Sequence, residues 1–194
     1  KKRRLDFMGL VPLQWVKQTG SERFHEAFRK EKYFTPNYRY IGWNARKSFF
    51  ADKRVRRAMT MFVDREKILK TLLFDLGIVV TGTAYVNSPY YDHNIEPWPY
   101  DPKAARALLD EAGWLDTDGD GIRDKDGTKF KFEFLIPAGS DFAEQLATVI
   151  QDELRKAGIL MDIRRLEWAS FIKQLESRDF DAVTLGWSLG VETD

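Results

Sequence analysis

Residues 116–127 read Asp116-Thr-Asp118-Gly-Asp120-Gly121-Ile122-Arg-Asp124-Lys-Asp126-Gly127. Carboxylates at alternate positions, separated by glycines that let the chain turn sharply, can converge on a hard cation. Asp116, Asp118, Asp120 and Asp124 are therefore candidate calcium ligands. The helix-loop-helix calcium motif is a poor match, since it needs a bidentate Glu at its twelfth position and Gly127 stands there. The plainer reading is a solvated Asp/Gly turn that joins a helix to a strand, and a chelator's effect on melting separates the two. No cofactor other than that calcium is expected.

Catalytic chemistry has little to work with. There is no Cys, so thiolate nucleophiles, disulfides and cysteine metal sites are excluded. The two His residues, His25 and His93, have no ligand-like spacing and no nucleophile elbow beside them. Neither a phosphate-binding Gly-Lys-Ser/Thr arrangement nor a dinucleotide fingerprint is present. An enzyme is not expected, because no acid, base and nucleophile converge.

The aromatic residues are more informative. Trp187 closes a predicted strand just before Ser188 and Gly190, and Trp168 opens the preceding predicted helix directly after another strand. In α/β sheets the carboxyl ends of parallel strands border ligand crevices, so both rings could wall an extended or cyclic ligand. The alternative is that each Trp anchors a loop into the core. Gly186 and Gly190 on either side of Trp187 favour close backbone approach, which supports the ligand reading.

These residues need elements to position them. Residues 5–11 and 38–44 read as strands, and Val55, Ala58, Met59 and Phe62 recur with helical spacing. A further helix carries Ile68, Leu69, Leu72 and Leu73 inward and stops near Gly77. Residues 81–100, with three Pro among Tyr and Trp, form a structured loop. Asp101 as N-cap, Pro102 at the first helical position and Gly113 as a stop frame the next helix. After the Asp/Gly turn come a strand over 129–136, a helix over 141–157, a strand over 159–166, a short helix over 168–177 and a strand over 180–187. This β–α–β–α–β order predicts an α/β fold, with a mixed or mostly parallel sheet flanked by helices.

Composition agrees. With 43% hydrophobic and 31% charged residues, the 194-residue chain has a globular composition and is long enough for a sizeable core. Lys and Arg number 31 against 30 Asp and Glu, so no general field draws nucleic acid. Lys1 to Arg4 and Arg54, Arg56 and Arg57 read as solvated positive faces. No apolar run is long enough to span a membrane. A monomer is expected, because each helical stripe is already needed against the sheet. Both ends look cut, which predicts a single lobe over 1–194 from a larger protein.

Several segments in order resemble the extracellular solute-binding proteins that deliver peptides, and sometimes nickel or oligosaccharides, to ABC importers. They are Tyr40-Ile-Gly-Trp-Asn44, Phe50-Ala-Asp-Lys-Arg-Val-Arg-Arg-Ala-Met59, Val63-Asp-Arg-Glu-Lys-Ile68, Tyr100-Asp-Pro-Lys-Ala-Ala-Arg-Ala-Leu-Leu109, Glu111-Ala-Gly-Trp114 and Phe180-Asp-Ala-Val-Thr-Leu-Gly-Trp187. The resemblance implies most of the second lobe of a two-lobed, non-enzymatic protein that closes on its solute. It also implies a periplasmic or extracellular location, lipoprotein-type anchoring through a segment not included here, and an importer permease as partner. By the same resemblance Trp168, Trp187, Ser188 and Gly190 contact an oligopeptide. Peptide-binding members often place an Asp three residues after the Trp to pair with the ligand's amino terminus, whereas Gly190 stands there in this chain. Glu192 and Asp194 lie close by, and an oligosaccharide is the alternative solute. The other alternative is an interaction domain that keeps the fold without a transport role.

Overall fold

The computed structural model describes residues 6–189. Its helices are α1 (Glu22–Ala27), α2 (Ser48–Ala51), α3 (Lys53–Met61), α4 (Arg65–Leu72), α5 (Pro102–Glu111), α6 (Asp141–Lys156) and α7 (Trp168–Ser177). Its strands are β1 (Asn37–Trp43), β2 (Asp124–Lys125), β3 (Thr128–Lys129), β4 (Lys131–Pro137), β5 (Leu160–Leu166) and β6 (Ala182–Ser188). The chain divides into two compact units, one of residues up to 35 with 66–79 and the other of 36–65 with 80 onward. The expectation for 1–194 was one lobe; the α/β sheet lies wholly in the second unit.

In the first unit a π-helical turn, Gln14–Gln18, precedes α1. Thr19 Oγ1 donates to the carbonyls of Gln14 and Trp15, and Lys30 Nζ donates to Trp15 O at 2.7 Å while lying 4.3 Å from the indole centroid. The strand expected over 5–11 is absent from the described part, residues 6–11, and Phe7, Met8 and Val11 are exposed. An apolar run becomes a strand only beside a ladder partner. Val11 O instead accepts from Trp15 N in the turn that follows Pro12.

The second unit is built on a four-stranded sheet in the order β1-β6-β4-β5. β4 pairs in parallel with β5 and with β6, while β1 runs antiparallel to β6. Alternate residues of a strand point to opposite faces. Phe132, Phe134 and Ile136 of β4 thus lie on one face and Leu135 on the other, all buried. On the first face Trp43, Phe50, Phe130 and Phe132 form an aromatic core, with Trp114 and Phe130 centroids 4.5 Å apart. α6 covers this face too, since Arg39, on the Trp43 side of β1, lies over the Phe142 ring of α6 at 4.7 Å. On the opposite face α7 closes a smaller cluster of Leu135, Phe171 and Val183.

Polar groups finish the helices as expected from the caps. Asp101 Oδ1 accepts from the amides of Lys103 and Ala104 with Pro102 behind it, and Gly113 ends the segment at φ +84°. Ser140, which the sequence reading passed over, caps α6 by accepting from Ala143 N. Of the three arginines expected to be solvated, Arg54 and Arg57 are exposed and Arg56 is half-buried, and all three also make contacts with the fold. Arg54 pairs with Asp52 and donates to Glu111 O at the end of α5; Arg56 donates to the carbonyls of Phe50 and Ala51; Arg57 stacks 3.6 Å from the Trp98 centroid.

Arg123 joins three segments. Its Nε donates to Ala157 O at 2.8 Å after α6, and its Nη1 donates to Trp114 O and Asp110 Oδ1 after and within α5. Only 12% of its side chain is exposed. Arg123→Met keeps the stem but leaves two carbonyls without a donor, so a loss of about 3 kcal/mol is expected. Urea denaturation should show this as a lower midpoint at unchanged slope; an unmoved midpoint would refute the role.

Candidate functional site

The site is built at the carboxyl edge of the three parallel strands. β4 feeds α6 and then β5 on one side, while α7 carries the chain back across β4 to β6 on the other. Connections that leave a strand in opposite directions open a crevice at its carboxyl end. Here the pairing of β6 with β4 covers Phe134↔Ala182 and Leu135↔Val183, after which β4 continues to Pro137 and β6 to Ser188. Residues 184–188 of β6 run on without a ladder partner on the β4 side among the described residues. Their other side stays paired with β1 through Asn37↔Ser188, and Leu189 N donates to Pro36 O one step beyond.

Both tryptophans border this edge. Val183 belongs to the cluster beneath α7 and Leu185 packs on it, so Trp187, two residues further, lies on the same face. Trp187 is 54% exposed. Trp168 is the first residue of α7 and stacks on buried Phe171, ring centroids 5.8 Å apart and planes within 18°, yet is 58% exposed itself. Exposure of this size decides against the core-anchor reading for both rings. They sit on the same sheet face, on segments leaving strands two positions apart, or about 10 Å by strand spacing.

The register adds residues that sequence spacing did not assign to the site. Tyr38 stands opposite Trp187 and Tyr40 opposite Leu185, with Tyr38 and Tyr40 rings 6.1 Å apart. The aromatic face therefore continues from β6 onto β1. Alternating Tyr in a strand was the available signal, but the pairing partner is not written in the sequence. Ser188 is exposed and its side chain takes the α6 face, away from Trp187, leaving its backbone as the part shared with this edge. Gly190 lies outside the described residues. Gly186 is explained without a ligand: a Cβ there would meet Tyr38 O at 3.2 Å, so the close approach is by β1.

The Asp/Gly turn is a separate feature. Asp116, Asp118 and Asp120 each present an oxygen within 4.8 Å of the others. Asp124 is buried and turned away, its two oxygens accepting from Thr117 N at 3.0 Å and Thr117 Oγ1 at 2.6 Å. Lys129 Nζ reaches both Asp118 oxygens at 2.7 Å and Asp120 at 2.9 Å. An ammonium thus already pairs with two of the three carboxylates that could hold a cation. The strand expected from 129 begins with a short hairpin, β2 to β3, that delivers this lysine.

If Lys129 neutralises the loop, Lys129→Met should lower the melting temperature, and calcium should restore part of the loss. Calcium and chelator should leave the unsubstituted protein unchanged. A lower melting temperature in chelator would show that a bound cation holds the carboxylates.

The charged hydrogen bonds also set the response to acid. The Lys129 ammonium and the Ile122 amide hold Asp120 below the ordinary carboxylate value of 3.8, Thr117 does the same for Asp124, and the Arg54 guanidinium lowers Asp52 to about 2. A carboxylate with a depressed folded-state pKa contributes stability above its unfolded value and loses it as pH falls through the folded value. Glu153, lowered from 4.5 chiefly by Lys156, adds to these, so stability should hold from neutrality to just above 4.5 and fall steadily towards 2. Melting scans across that range check this, and a decline that begins near neutrality would contradict it.

A helix-covered sheet with exposed aromatic rings, and with residues 184–188 open on the β4 side at its carboxyl edge, makes a candidate binding surface. The family model for bacterial extracellular solute-binding proteins, family 5 middle, matches residues 1–194, and the chain belongs to that family. The oligopeptide-binding protein AppA of Bacillus subtilis (strain 168) is 40% identical over 166 residues, covering 81% of this chain and 30% of AppA. The AppA structure in complex with a nonapeptide superposes with a TM-score of 0.77, over 81% of this chain and 32% of that one. The periplasmic oligopeptide-binding protein of Thermotoga maritima, solved with mannohexaose bound, is 25% identical with a TM-score of 0.68, over 80% of this chain and 30% of that one. The chain spans about a third of the length of these relatives. Among the described residues no helix is long and apolar enough to cross a membrane.

Proposed function

We propose that this chain supplies one solute-facing surface of a longer, two-lobed protein that captures an oligopeptide and presents it to the permease of an ABC importer. The observation that carries the reading is 40% identity to an oligopeptide-binding protein whose fold also matches in its nonapeptide complex. The edge has suitable chemistry. Backbone groups of 184–188 offer strand-like hydrogen bonds that take any peptide sequence, and Trp168, Trp187, Tyr38 and Tyr40 offer apolar area for its side chains. No bond in the solute is broken in this role. The protein works outside the cytoplasm, anchored through a segment beyond these residues, and acts as a monomer.

A solute held between two lobes loses water on both sides, and differential affinity for the closed form drives closure. One lobe alone leaves half the contacts open to water. An oligosaccharide is the second reading, favoured by the exposure of two tryptophans on which sugar rings stack and by the mannohexaose in the Thermotoga maritima relative.

Calorimetry on the longer protein, with free-amino peptides, acetylated peptides and neutral oligosaccharides, distinguishes these readings. Peptide binding insensitive to acetylation is expected, because Gly190 offers no carboxylate to an amino terminus. Trp187→Ala should weaken binding by about 2 kcal/mol while changing stability by less than about 0.5 kcal/mol, as for an exposed interface aromatic. Sugar binding in place of peptide binding would transfer the role to the second reading. A large loss on acetylation, removed by substituting Glu192 or Asp194, would show that a nearby carboxylate has taken over amino-terminus recognition.

A further inference from the structure

The turn between α5 and β4 contains three Asp–Gly steps, Asp118–Gly119, Asp120–Gly121 and Asp126–Gly127. We propose that Asp126 is a site of spontaneous isoaspartate formation and that the other two steps are protected by their hydrogen bonding. The chemistry needs only the chain and water. The Gly127 amide nitrogen attacks Cγ of Asp126 in its acid form, an N–Cγ bond forms, a Cγ–O bond breaks, and the amide proton leaves with the hydroxyl as water. The resulting five-membered imide takes up one water at either carbonyl. Opening at Cγ restores Asp126, and opening at the former backbone carbonyl leaves the chain running through Cγ. Nothing is oxidised or reduced, and the elemental composition is unchanged.

The structure separates the three steps by both reactants. Gly119 N donates to Asp116 Oδ1 and Gly121 N to Asp116 Oδ2, each at 2.9 Å, so both attacking nitrogens are engaged. The Asp118 and Asp120 carboxylates are bound by the Lys129 ammonium at 2.7 and 2.9 Å, so the group that each nitrogen would attack is engaged as well. Asp126 and Gly127 are both exposed, and among the described residues no hydrogen bond or ion pair engages the Asp126 carboxylate or the Gly127 amide. They form the two-residue loop of the β2–β3 hairpin, both in the left-handed region at φ 51° and 75°. The ladder that holds this loop is two residues long on each side, so local opening to the ring-closing geometry costs little.

The test is incubation of the native protein at neutral pH in water enriched in heavy oxygen, then tryptic digestion in ordinary water. Each passage through the imide installs one heavy oxygen. Cleavage after Arg106, Arg123, Lys125 and Lys129 puts Asp126 in peptide 126–129 and the other two steps in peptide 107–123. Label and isoaspartate-specific fragments are expected in 126–129, with roughly tenfold less label per step in 107–123, the protection a hydrogen bond of ordinary net strength gives. In urea the label per step in peptide 107–123 should rise to that of 126–129, and Asp116→Ala, which frees the two nitrogens but leaves Lys129 on the carboxylates, should raise it part of the way. Equal native labelling of the two peptides, or label in 126–129 only after unfolding, would overturn the proposal.

Discussion

Strand β4 has neighbours on both edges and cover on both faces, and the second unit is arranged around that constraint. On one face Phe130, Phe132, Phe134 and Ile136 are all buried, whereas on the other α7 covers Leu135 and leaves Lys131 and Glu133 exposed near the start of the strand. The crossovers that reach its neighbours leave in opposite directions. Right-handed connections then put α6 and α7 on opposite faces. The divergence of β6 from β4 at the carboxyl edge follows from this topology, so the candidate site needs no special sequence beyond the residues that line it.

Basic side chains hold the helices to one another at their carboxyl ends. Arg54 and Lys125 donate to carbonyls at the end of α5, and Arg106 and Arg123 to those at the end of α6. Each positive group meets the negative end of a helix dipole while satisfying carbonyls that have no partner within the helix. Asn44 does a similar task without charge: buried behind β1, it donates from Nδ2 to the carbonyls of Arg178 and Phe180 and fixes the turn from α7 into β6.

The stretch from α5 to β6 was legible because each element carries its own signal. Asp101, Pro102 and Gly113 bracket one helix, and Leu146, Ile150 and Leu154 mark another with a period of four. What spacing does not encode is pairing. The antiparallel placement of β1, the Tyr38–Trp187 register and the early end of the β4–β6 ladder depend on contacts between residues about 50 or 150 positions apart. The failed strand before Pro12 shows the same limit, since β propensity is realised only beside a partner. For the tryptophans, spacing alone leaned towards the core anchor with the solute wall open, and their exposure speaks against the anchor. Asp124 looked like its neighbours in the motif, yet Thr117 turns it inward.

Lys129 gives the Asp/Gly turn a counterion that is part of the polypeptide. A free ion leaves when its concentration in the medium falls, but a covalently attached ammonium keeps a constant effective concentration beside Asp118 and Asp120. For a family of extracellular proteins, this counterion stays with the turn whatever divalent cations the medium holds, while the exposure of the pair leaves it open to screening by salt.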